Sequence, residues 1–331
     1  MLVHVCAGSP VRSIVFSDTC GATDSYLEVI APIVGRLETL VLENCQCLRN
    51  DVSTHLRGMS RLREFYIGFA KRLTDDQLAV MLDGSPMLRK LTVFAAPLVS
   101  GNFLTALPRE CDFGLRDLRI HSCTVFSDEG AAHVARFRGL EHVNVTSCPQ
   151  LMSFPFAQLP PLRFVADFFC DMRITTVDLR PLVGLRALGS NFLAMSSFTA
   201  VDLSGLATVT AIGSHFLHSA KGLTAVDLSS MTSLTAVSHG CLSECPSLTK
   251  IDLSGLSNLT SLGRSFVSFA SKLAVIDLFG LTGLVDVGEK FFAESPLERL
   301  RLCDALLRHP AVSDEHKRLH AATGCDASEW C

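Results

Sequence analysis

Apolar residues return at a fixed interval along the second half of the chain. An apolar-Asp-Leu triplet recurs with steps of 24 or 25 residues, and Leu300-Arg301-Leu302 follows 24 residues after the last copy without the acid. A fixed period of this length predicts a solenoid, because so small a unit cannot bury its own apolar face and must stack on its neighbours. The complete triplets are Val177-Asp178-Leu179, Val201-Asp202-Leu203, Val226-Asp227-Leu228, Ile251-Asp252-Leu253 and Ile276-Asp277-Leu278.

A second apolar row follows each triplet by 11 residues, and a small-x-x-Phe step comes after it in most copies. The segments Leu223–Leu228 and Leu297–Leu302 follow the pattern L-x-x-L-x-L and resemble leucine-rich repeats. With the second row, residues 174–303 are similar to the BspA-like (Treponema-type) subfamily. The resemblance implies short strand or 3-10 segments in this half. The second row consists of Leu188, Ile212, Val237, Leu262 and Val287.

The first half repeats less regularly, with steps of 25 to 27 residues between apolar strand-like segments. Thr74 and Ser127 each stand before acidic residues and an apolar pattern at helical spacing, which predicts a capped helix at both places. Residues 11–148 resemble cysteine-containing leucine-rich repeats. The fold class predicted for the chain is an α/β solenoid, a horseshoe or arc with a concave parallel β-sheet and short convex helices in the first half.

The pattern divides the chain into four parts of one continuous solenoid. Residues 1–147 are the irregular repeats, and 148–173 are a Pro-rich junction where the repeat frame slips by half a unit. Residues 174–303 are the regular repeats, and 304–331 are a capping helix, beginning at Ser313, with a tail. At the other end, either the strand-like Val3–Val5 or a missing segment or partner covers the first repeat.

Several of the 13 cysteines occupy one repeat position, five residues after a strand centre. Equivalent positions elsewhere hold Ala, Leu or Met, so the position is predicted to be a core column of free thiols. Free thiols favour a reducing compartment. The cysteines at this position are Cys45, Cys123, Cys148 and Cys170.

Composition and the lack of known motifs argue against several classes of function. The net charge is -4 and no basic run is present, which argues against nucleic acid. We find no export leader and no uninterrupted apolar span of membrane length, so we expect an intracellular, cytoplasmic protein without membrane contact. No catalytic or nucleotide-binding motif is present. We therefore expect a non-enzymatic protein without a cofactor.

One group of residues at the C-terminus has ligand-like spacing. His316, His320, Cys325 and Cys331 run as H-x3-H-x4-C-x5-C, and the two histidines would share one face of a helix. The spacing matches no standard zinc module. A capping helix is the favoured interpretation, with a metal site as the alternative.

The acidic position of the triplet is the candidate binding site. Each Asp lies between two inward apolar residues and should point outward, so neighbouring strands of one sheet would place the carboxylates about 4.8 Å apart. Repulsion should then raise some of their pKa values above about 4. A basic partner segment or divalent ions would fit this acidic row, which consists of Asp178, Asp202, Asp227, Asp252 and Asp277. The alternative is that these acids are solvated or bonded to nearby Ser and Thr hydroxyls and only keep the exposed sheet soluble.

The outward positions of the first half are more varied, as in a protein-binding face. They supply a second set of candidate partner-binding residues, Tyr66, Arg119, His121 and Asn144. The predicted function is a scaffold, monomeric or within a larger complex, that binds a protein through its concave face. Two alternatives remain open: a substrate-recognition subunit of a ubiquitin-ligase-type complex, and a BspA-like surface or adhesion protein.

Overall fold

The structure is a computed structural model that describes residues 11–16, 23–46, 48, 53, 55–107, 114–162, 164–165, 170–174, 176–290 and 292–323. The chain divides into two compact units, residues 1–160 (unit 1) and 161–331 (unit 2). Val3–Val5, predicted to cover the first repeat, lies outside the described residues.

Unit 1 carries a parallel sheet in which the strands follow one another in chain order. Alternate residues point into the core, as the sequence pattern predicts: Phe65, Leu91 and Leu118 are in register and at most 1% exposed. The strands are β1 Ser13–Phe16, β2 Thr39–Leu42, β3 Glu64–Gly68, β4 Lys90–Phe94, β5 Asp117–His121 and β6 His142–Thr146.

Short helices connect these strands, in agreement with the predicted fold class. They are α1 Asp24–Ile30, α2 Asp75–Leu82 and α3 Asp128–Ala132, with 3-10 segments at Ala31–Arg36, Asn102–Ala106 and His133–Arg136.

The predicted helix cap is correct at one helix and wrong at the other. Thr74 forms a reciprocal capping box with Gln77 at the start of α2. Ser127 makes no side-chain cap at α3. Asp128 instead turns toward the next repeat, where its carboxylate accepts the N–H groups of Met152 and Ser153 at 2.7 and 3.0 Å.

Asp75 joins α2 to the following repeat in the same way. Its two carboxylate oxygens accept the N–H groups of Ser100, Gly101 and Phe103 at 2.7 to 3.0 Å, and the Ser100 hydroxyl at 2.9 Å. The acid at the first helical position therefore does more than favour the helix start: it satisfies backbone donors of the next turn of the chain.

Unit 2 has twelve short strands among its described residues, with two rows in alternation. They are β7 Phe164–Val165, β8 Thr176–Asp178, β9 Ala187–Leu188, β10 Ala200–Asp202, β11 Ala211–Ile212, β12 Ala225–Asp227, β13 Ala236–Val237, β14 Lys250–Asp252, β15 Ser261–Leu262, β16 Val275–Leu278, β17 Asp286–Val287 and β18 Arg299–Leu302.

The odd-numbered strands form the long parallel ladder of unit 2, and β9 to β17 contain the second apolar row. The even-numbered strands, all of which except β18 carry the Asp, pair only as β8 with β10, β12 with β14 and β16 with β18. The prediction that the Asp strands share one sheet is therefore wrong. The reason is local: the chain turns away immediately after each Asp, which leaves most of these strands only three residues long.

Threonine side chains add a second set of links between repeats. The hydroxyls of Thr235 and Thr260 each donate to the carbonyl of the preceding threonine, Thr210 or Thr235, at 2.9 Å. Thr249 donates in the same way to Thr224 at 3.0 Å. These bonds help to fix the register of strands that have only two or three residues.

A third segment of each repeat in unit 2 uses left-handed backbone. After β11, the φ angles of His215, Leu217 and Ser219 are 61°, 55° and 52°. The N–H of His215 donates to the His239 carbonyl of the next repeat at 2.9 Å, and that of Leu217 to the Phe192 carbonyl of the preceding one at 3.1 Å. The segment thus bonds to both neighbours as a strand would, and we call it the left-handed ladder.

The C-terminal helix covers the last strand of unit 2. α4 spans Asp304–Arg308 and α5 spans Asp314–Thr323, in line with the predicted capping helix. The edge of β18 would otherwise expose donors, and α5 satisfies two of them. The N–H of Leu302 donates to His320 Nδ1 and that of Leu300 to Thr323 Oγ1, both at 3.2 Å.

Leu228 tests the stacking of the repeats. Its side chain is 1% exposed, so Leu228→Asp places an unpaired charge in a core shared by adjacent repeats. We expect a loss on the order of 3–5 kcal/mol or outright unfolding of unit 2. Val285→Asp is the matched control, since Val285 is 77% exposed. Denaturant melts of both variants measure the difference, and equal midpoints would contradict the proposed core.

Candidate functional site

A groove on the outward face of the unit 1 sheet brings together three of the sequence-predicted residues. Tyr66, Arg119 and His121 line it, with a volume of about 340 Å³. Arg119 forms a two-pronged ion pair with Asp117, both contacts at 2.9 Å, and His121 Nδ1 lies 2.7 Å from Thr146 Oγ1. Both side chains are therefore held in one orientation before anything binds.

Sequence reasoning missed an aromatic row beside this groove. The rings of Phe69 and Phe94 meet edge to face with centroids 5.0 Å apart, and the Phe94 and His121 centroids are 6.1 Å apart. Phe69 is 40% exposed although it has a left-handed φ of 55°. In equivalent positions the repeats hold Asn44, Ala95, Ser122 and Ser147, also with left-handed φ. Column-by-column alignment of the first-half repeats would have revealed the exception.

Gly68 determines where the Tyr66 ring lies. A Cβ at position 68 would come within 2.9 Å of Cε1 and of the hydroxyl of Tyr66, so the ring folds along its own strand over the glycine. Asn144 continues the row of Tyr66 and Arg119 on the neighbouring strand β6. Its Oδ1 is buried and has no hydrogen-bond partner among the described residues. This face therefore carries an aromatic body, a fixed cation and an acceptor without a donor.

Four of the five Asp residues of the acidic row lie in pairs, and all five accept a backbone hydrogen bond that the sequence pattern does not predict. Asp178 is in register with Asp202, and Asp227 with Asp252. In all five triplets one carboxylate oxygen accepts the backbone N–H two residues later, at 2.8 to 3.0 Å. Such Asx turns stabilise the reversal of the chain after the strand.

At Asp178, Asp202 and Asp252 the carboxylate pKa is lowered, which is opposite to the expected rise. The Arg180 side chain bonds to Asp178 and lowers the pKa of that carboxyl. Hydrogen bonds from the side chain and the N–H of Ser204 lower the pKa of Asp202. The pKa of Asp252 is lowered chiefly by the Ser254 N–H. Donors within each turn thus outweigh repulsion between exposed acids in water.

Two arginines show how this acidic row accepts a guanidinium. Arg180 bonds Asp178 at 2.8 Å and reaches Asp202 at 3.6 Å, so one cation spans two repeats. Arg301 lies 3.6 Å from Asp277, and its guanidinium lies 4.1 Å from the ring centroid of the half-exposed Phe279. A cavity of about 690 Å³ lies beside Phe279, lined also by Lys250, Asp252, Val275 and Asp277.

His316 and His320, the metal ligands of the alternative interpretation, each make a hydrogen-bond contact within the C-terminal segment. His316 Nδ1 lies 2.7 Å from Ser313 Oγ, and His320 Nδ1 accepts the N–H of Leu302. Cys325 and Cys331 lie outside the described residues. Within the described part of the chain, no group of three His, Cys, Asp or Glu residues has a metal-binding arrangement.

The cysteine column is a core column, as predicted, at three of its four positions. Cys45, Cys123 and Cys148 are buried, and burial raises the pKa of Cys45 to about 12 and that of Cys123 to about 11. Thiols of this kind are unreactive. Cys170 is only half-buried.

His215 belongs to a group of three histidines for which the apolar pattern gives no signal. The structure places it in contact with His218 and His239, with ring centroids 5.1 and 5.0 Å apart. The positions of His215 and His239 in successive repeats were the available signal, since residues of adjacent turns stack. We call these three residues the histidine cluster.

Comparisons with known proteins give the fold context. No protein-family model matches the sequence, and no curated protein matches it. The functional domain of InlJ from Listeria monocytogenes, which includes a cysteine ladder, is 15% identical, with a TM-score of 0.42 over 86% of this chain and 59% of that one. The present chain thus spans less than two thirds of that structure's length.

Two further solved structures are similar at the same low level. The Rad7 and Elc1 complex in yeast shows 12% identity and a TM-score of 0.36, with 80% of each chain covered. A leucine-rich cell surface protein from Faecalibacterium prausnitzii shows 15% identity and a TM-score of 0.29, over 83% of this chain and 75% of that one. At such scores we take the leucine-rich-repeat resemblance from the chain's own strands and period. Among the described residues, no helix has the length and apolar character needed to cross a membrane.

Two substitutions at Asp227 distinguish the stability that comes from the Asx turn from the stability that comes from the charge. Asp227→Asn keeps an oxygen that accepts the Ser229 N–H, so we expect little change in stability, whereas Asp227→Ala removes the acceptor and should cost about 1 kcal/mol. Chemical unfolding of the two variants beside the parent measures the difference. Equal losses for Asn and Ala would show that the charge, and not the turn, stabilises this position.

The lowered pKa values of the Asp carboxyls also predict how the stability of the folded protein depends on pH. Asp178, Asp202 and Asp252 titrate lower in the folded state than in the unfolded one, so their stabilisation is present above about pH 4 and is lost as the pH falls further. A variant with all three changed to Asn should lose less stability between pH 5 and pH 3 than the parent protein. If urea melts show that the variant and the parent lose the same stability between pH 5 and pH 3, the prediction is wrong.

Proposed function

We propose that the protein is a non-enzymatic binding scaffold whose outward unit 1 sheet face docks another protein. The observation that carries this proposal is the aromatic row, in which Phe69 keeps a large apolar ring exposed on strained backbone. An exposed apolar side chain on strained backbone adds nothing to a folded core and favours a binding role.

The chemistry of the groove suggests the kind of segment that docks there. Phe94 and Tyr66 offer apolar ring surface, and Arg119 is fixed by Asp117 with 44% of its side chain exposed. An extended segment with one apolar anchor and an acceptor for the Arg119 guanidinium matches this set, since aromatic and arginine side chains dominate the energetics of protein interfaces.

The acidic row of unit 2 is a second proposed docking surface, for a basic segment. Its support is the behaviour of Arg180, which spans Asp178 and Asp202. Asp227 and Asp252 form an equivalent in-register pair on the adjoining strands. A partner arginine bridging this pair would repeat an arrangement that the chain already contains, and the cavity beside Phe279 would receive an apolar neighbour.

No contact among the described residues specifically favours either of the two other candidate functions. A ubiquitin-ligase substrate receptor would use the same binding faces, and a BspA-like adhesion protein would use them outside the cell. Both differ from the scaffold proposal in the identity and location of the partner. Identification of the partner by affinity purification and mass spectrometry distinguishes them.

Substitutions copied from neighbouring repeats test the unit 1 face without disturbing the fold. Tyr66→Thr takes the residue of Thr92, Phe69→Ser that of Ser122, and Phe94→Thr that of Thr146. We expect the triple variant to bind a co-purified partner at least about tenfold more weakly, because hot-spot residues each contribute about 2 kcal/mol or more.

The control for this experiment is the variant Asp202→Asn, Asp227→Asn, Asp252→Asn in unit 2. If it binds the same partner normally while the unit 1 variant does not, the outward unit 1 face is the docking surface. If the unit 2 variant alone weakens binding, and does so in a salt-dependent manner, the acidic row is the docking surface and the first proposal is wrong.

A further inference from the structure

The histidine cluster lies on the left-handed ladder of unit 2. His215 meets His218 at an interplanar angle of 65° and His239 at 85°, so each contact is edge to face. Neutral rings favour this arrangement, because the edge of one ring carries the opposite partial charge to the face of the other. Like-charged imidazolium rings about 5 Å apart would repel one another.

His215 is the centre of the cluster and is the ring least able to carry charge. Its Nδ1 is buried without a hydrogen-bond partner among the described residues, so a proton there would have no acceptor. The ring packs against Gly240, where an added Cβ would lie 2.6 Å from Nδ1. Burial, followed by the nearby His218 and His239, lowers the pKa of His215.

The two outer rings are held by serine hydroxyls. His218 Nδ1 lies 2.8 Å from Ser243 Oγ, and His239 Nδ1 lies 3.0 Å from Ser214 Oγ. Since a hydroxyl can donate or accept, these contacts fix ring position in either protonation state. The rings therefore cannot rotate apart to relieve repulsion without breaking these bonds.

The charged groups around the cluster do not offset three added protons. The preceding turn, residues 189–196, has no ionisable side chain. In the following turn Glu244 lies 3.8 Å from His218 Nε2, and burial keeps the thiols of Cys241 and Cys245 neutral, each with its pKa raised to about 12. The cavity of about 380 Å³ beside the cluster is also lined by Arg264, Glu289 and Lys290.

The backbone of the same residues links three repeats. The His218 carbonyl accepts the Met195 N–H at 2.7 Å, and the His215 N–H donates to the His239 carbonyl at 2.9 Å. A force that separates the rings therefore pulls on the hydrogen bonds that hold successive repeats together.

We propose that the histidine cluster is an acid-sensitive device, whose neutral rings pack together and whose protonated rings repel one another and open the left-handed ladder over residues 213–245. The sign follows from His215. Because its pKa is lower in the folded state than in the unfolded one, its contribution to stability is complete above about pH 6.5 and is lost as the pH falls.

Hydrogen exchange on the full chain at pH 7.5 and pH 5.5, corrected for intrinsic exchange rates, tests the proposal. We expect the opening equilibrium of residues 213–245 to rise several-fold at pH 5.5, with no comparable rise in unit 1. A rise spread evenly over both units, or no rise, overturns the proposal.

Neighbouring repeats supply variants that remove the cluster and keep the backbone. His215→Asn copies Asn191, which has a φ of 54° beside 61° for His215. His218→Ser and His239→Ser introduce the residues found at Ser243 and Ser214. The triple variant should lose the pH-dependent opening, while His133→Asn in unit 1 should leave it unchanged. An unaltered pH response in the triple variant contradicts the proposal.

A nuclear magnetic resonance titration of the parent protein covers the case in which the triple variant does not fold. The proposal requires the imidazole of His215 to take up its proton at lower pH than an ordinary histidine. Titration of His215 in or above the ordinary range, near pH 6.5, overturns it without any variant.

Discussion

Hydrogen bonds between successive turns of the chain are the constraint on which each unit depends. A turn of about 25 residues places most of its backbone donors and acceptors at its two flat sides, where only another turn can satisfy them. Unit 2 meets this requirement on three faces, with the odd-numbered strands, the paired Asp strands and the left-handed ladder. The apolar core fills the space that these faces enclose.

The same constraint explains the side chains that cross from one repeat to the next. Asp75 and Asp128 accept N–H groups of the following turn in unit 1, and Thr235 donates to the turn before it in unit 2. Beside β18, α5 takes the place of a neighbouring turn and accepts N–H groups of the strand through Thr323 and His320. A polar residue repeated at one position is therefore first a candidate for such bonding.

Periodicity predicted what depends on burial. The core positions around Leu228, the strands centred on Phe65 and Leu118 and the buried column of Cys45 all follow from the spacing of apolar residues, and the structure places them as expected. Burial has a clear sequence signal because every repeat must present the same apolar face to its neighbours.

What periodicity could not predict depends on bonding geometry within a turn. An Asp that faces solvent looks the same in sequence whether it is free or accepts the N–H two residues later, as Asp227 does from Ser229. The left-handed ladder also gives no signal in the sequence, because its positions hold His215, Leu217 and Ser219, which share no side-chain type. The histidine cluster depends on contacts between successive turns, and the period of apolar residues does not reveal such contacts.

The cost of left-handed backbone is offset by burial at some positions of the chain and only in part at others. A residue other than glycine pays about 1–2 kcal/mol for this conformation. Leu217 and Leu242 are fully buried, and burial of a leucine side chain contributes about 1.5–3 kcal/mol, which offsets the strain. Phe69 is 40% exposed, so it recovers only part of its cost, mainly from the edge-to-face contact with Phe94. Serine or asparagine, which neighbouring repeats use here, would fold at lower cost. The strain at Phe69 is therefore not offset by burial as it is at Leu217 and Leu242.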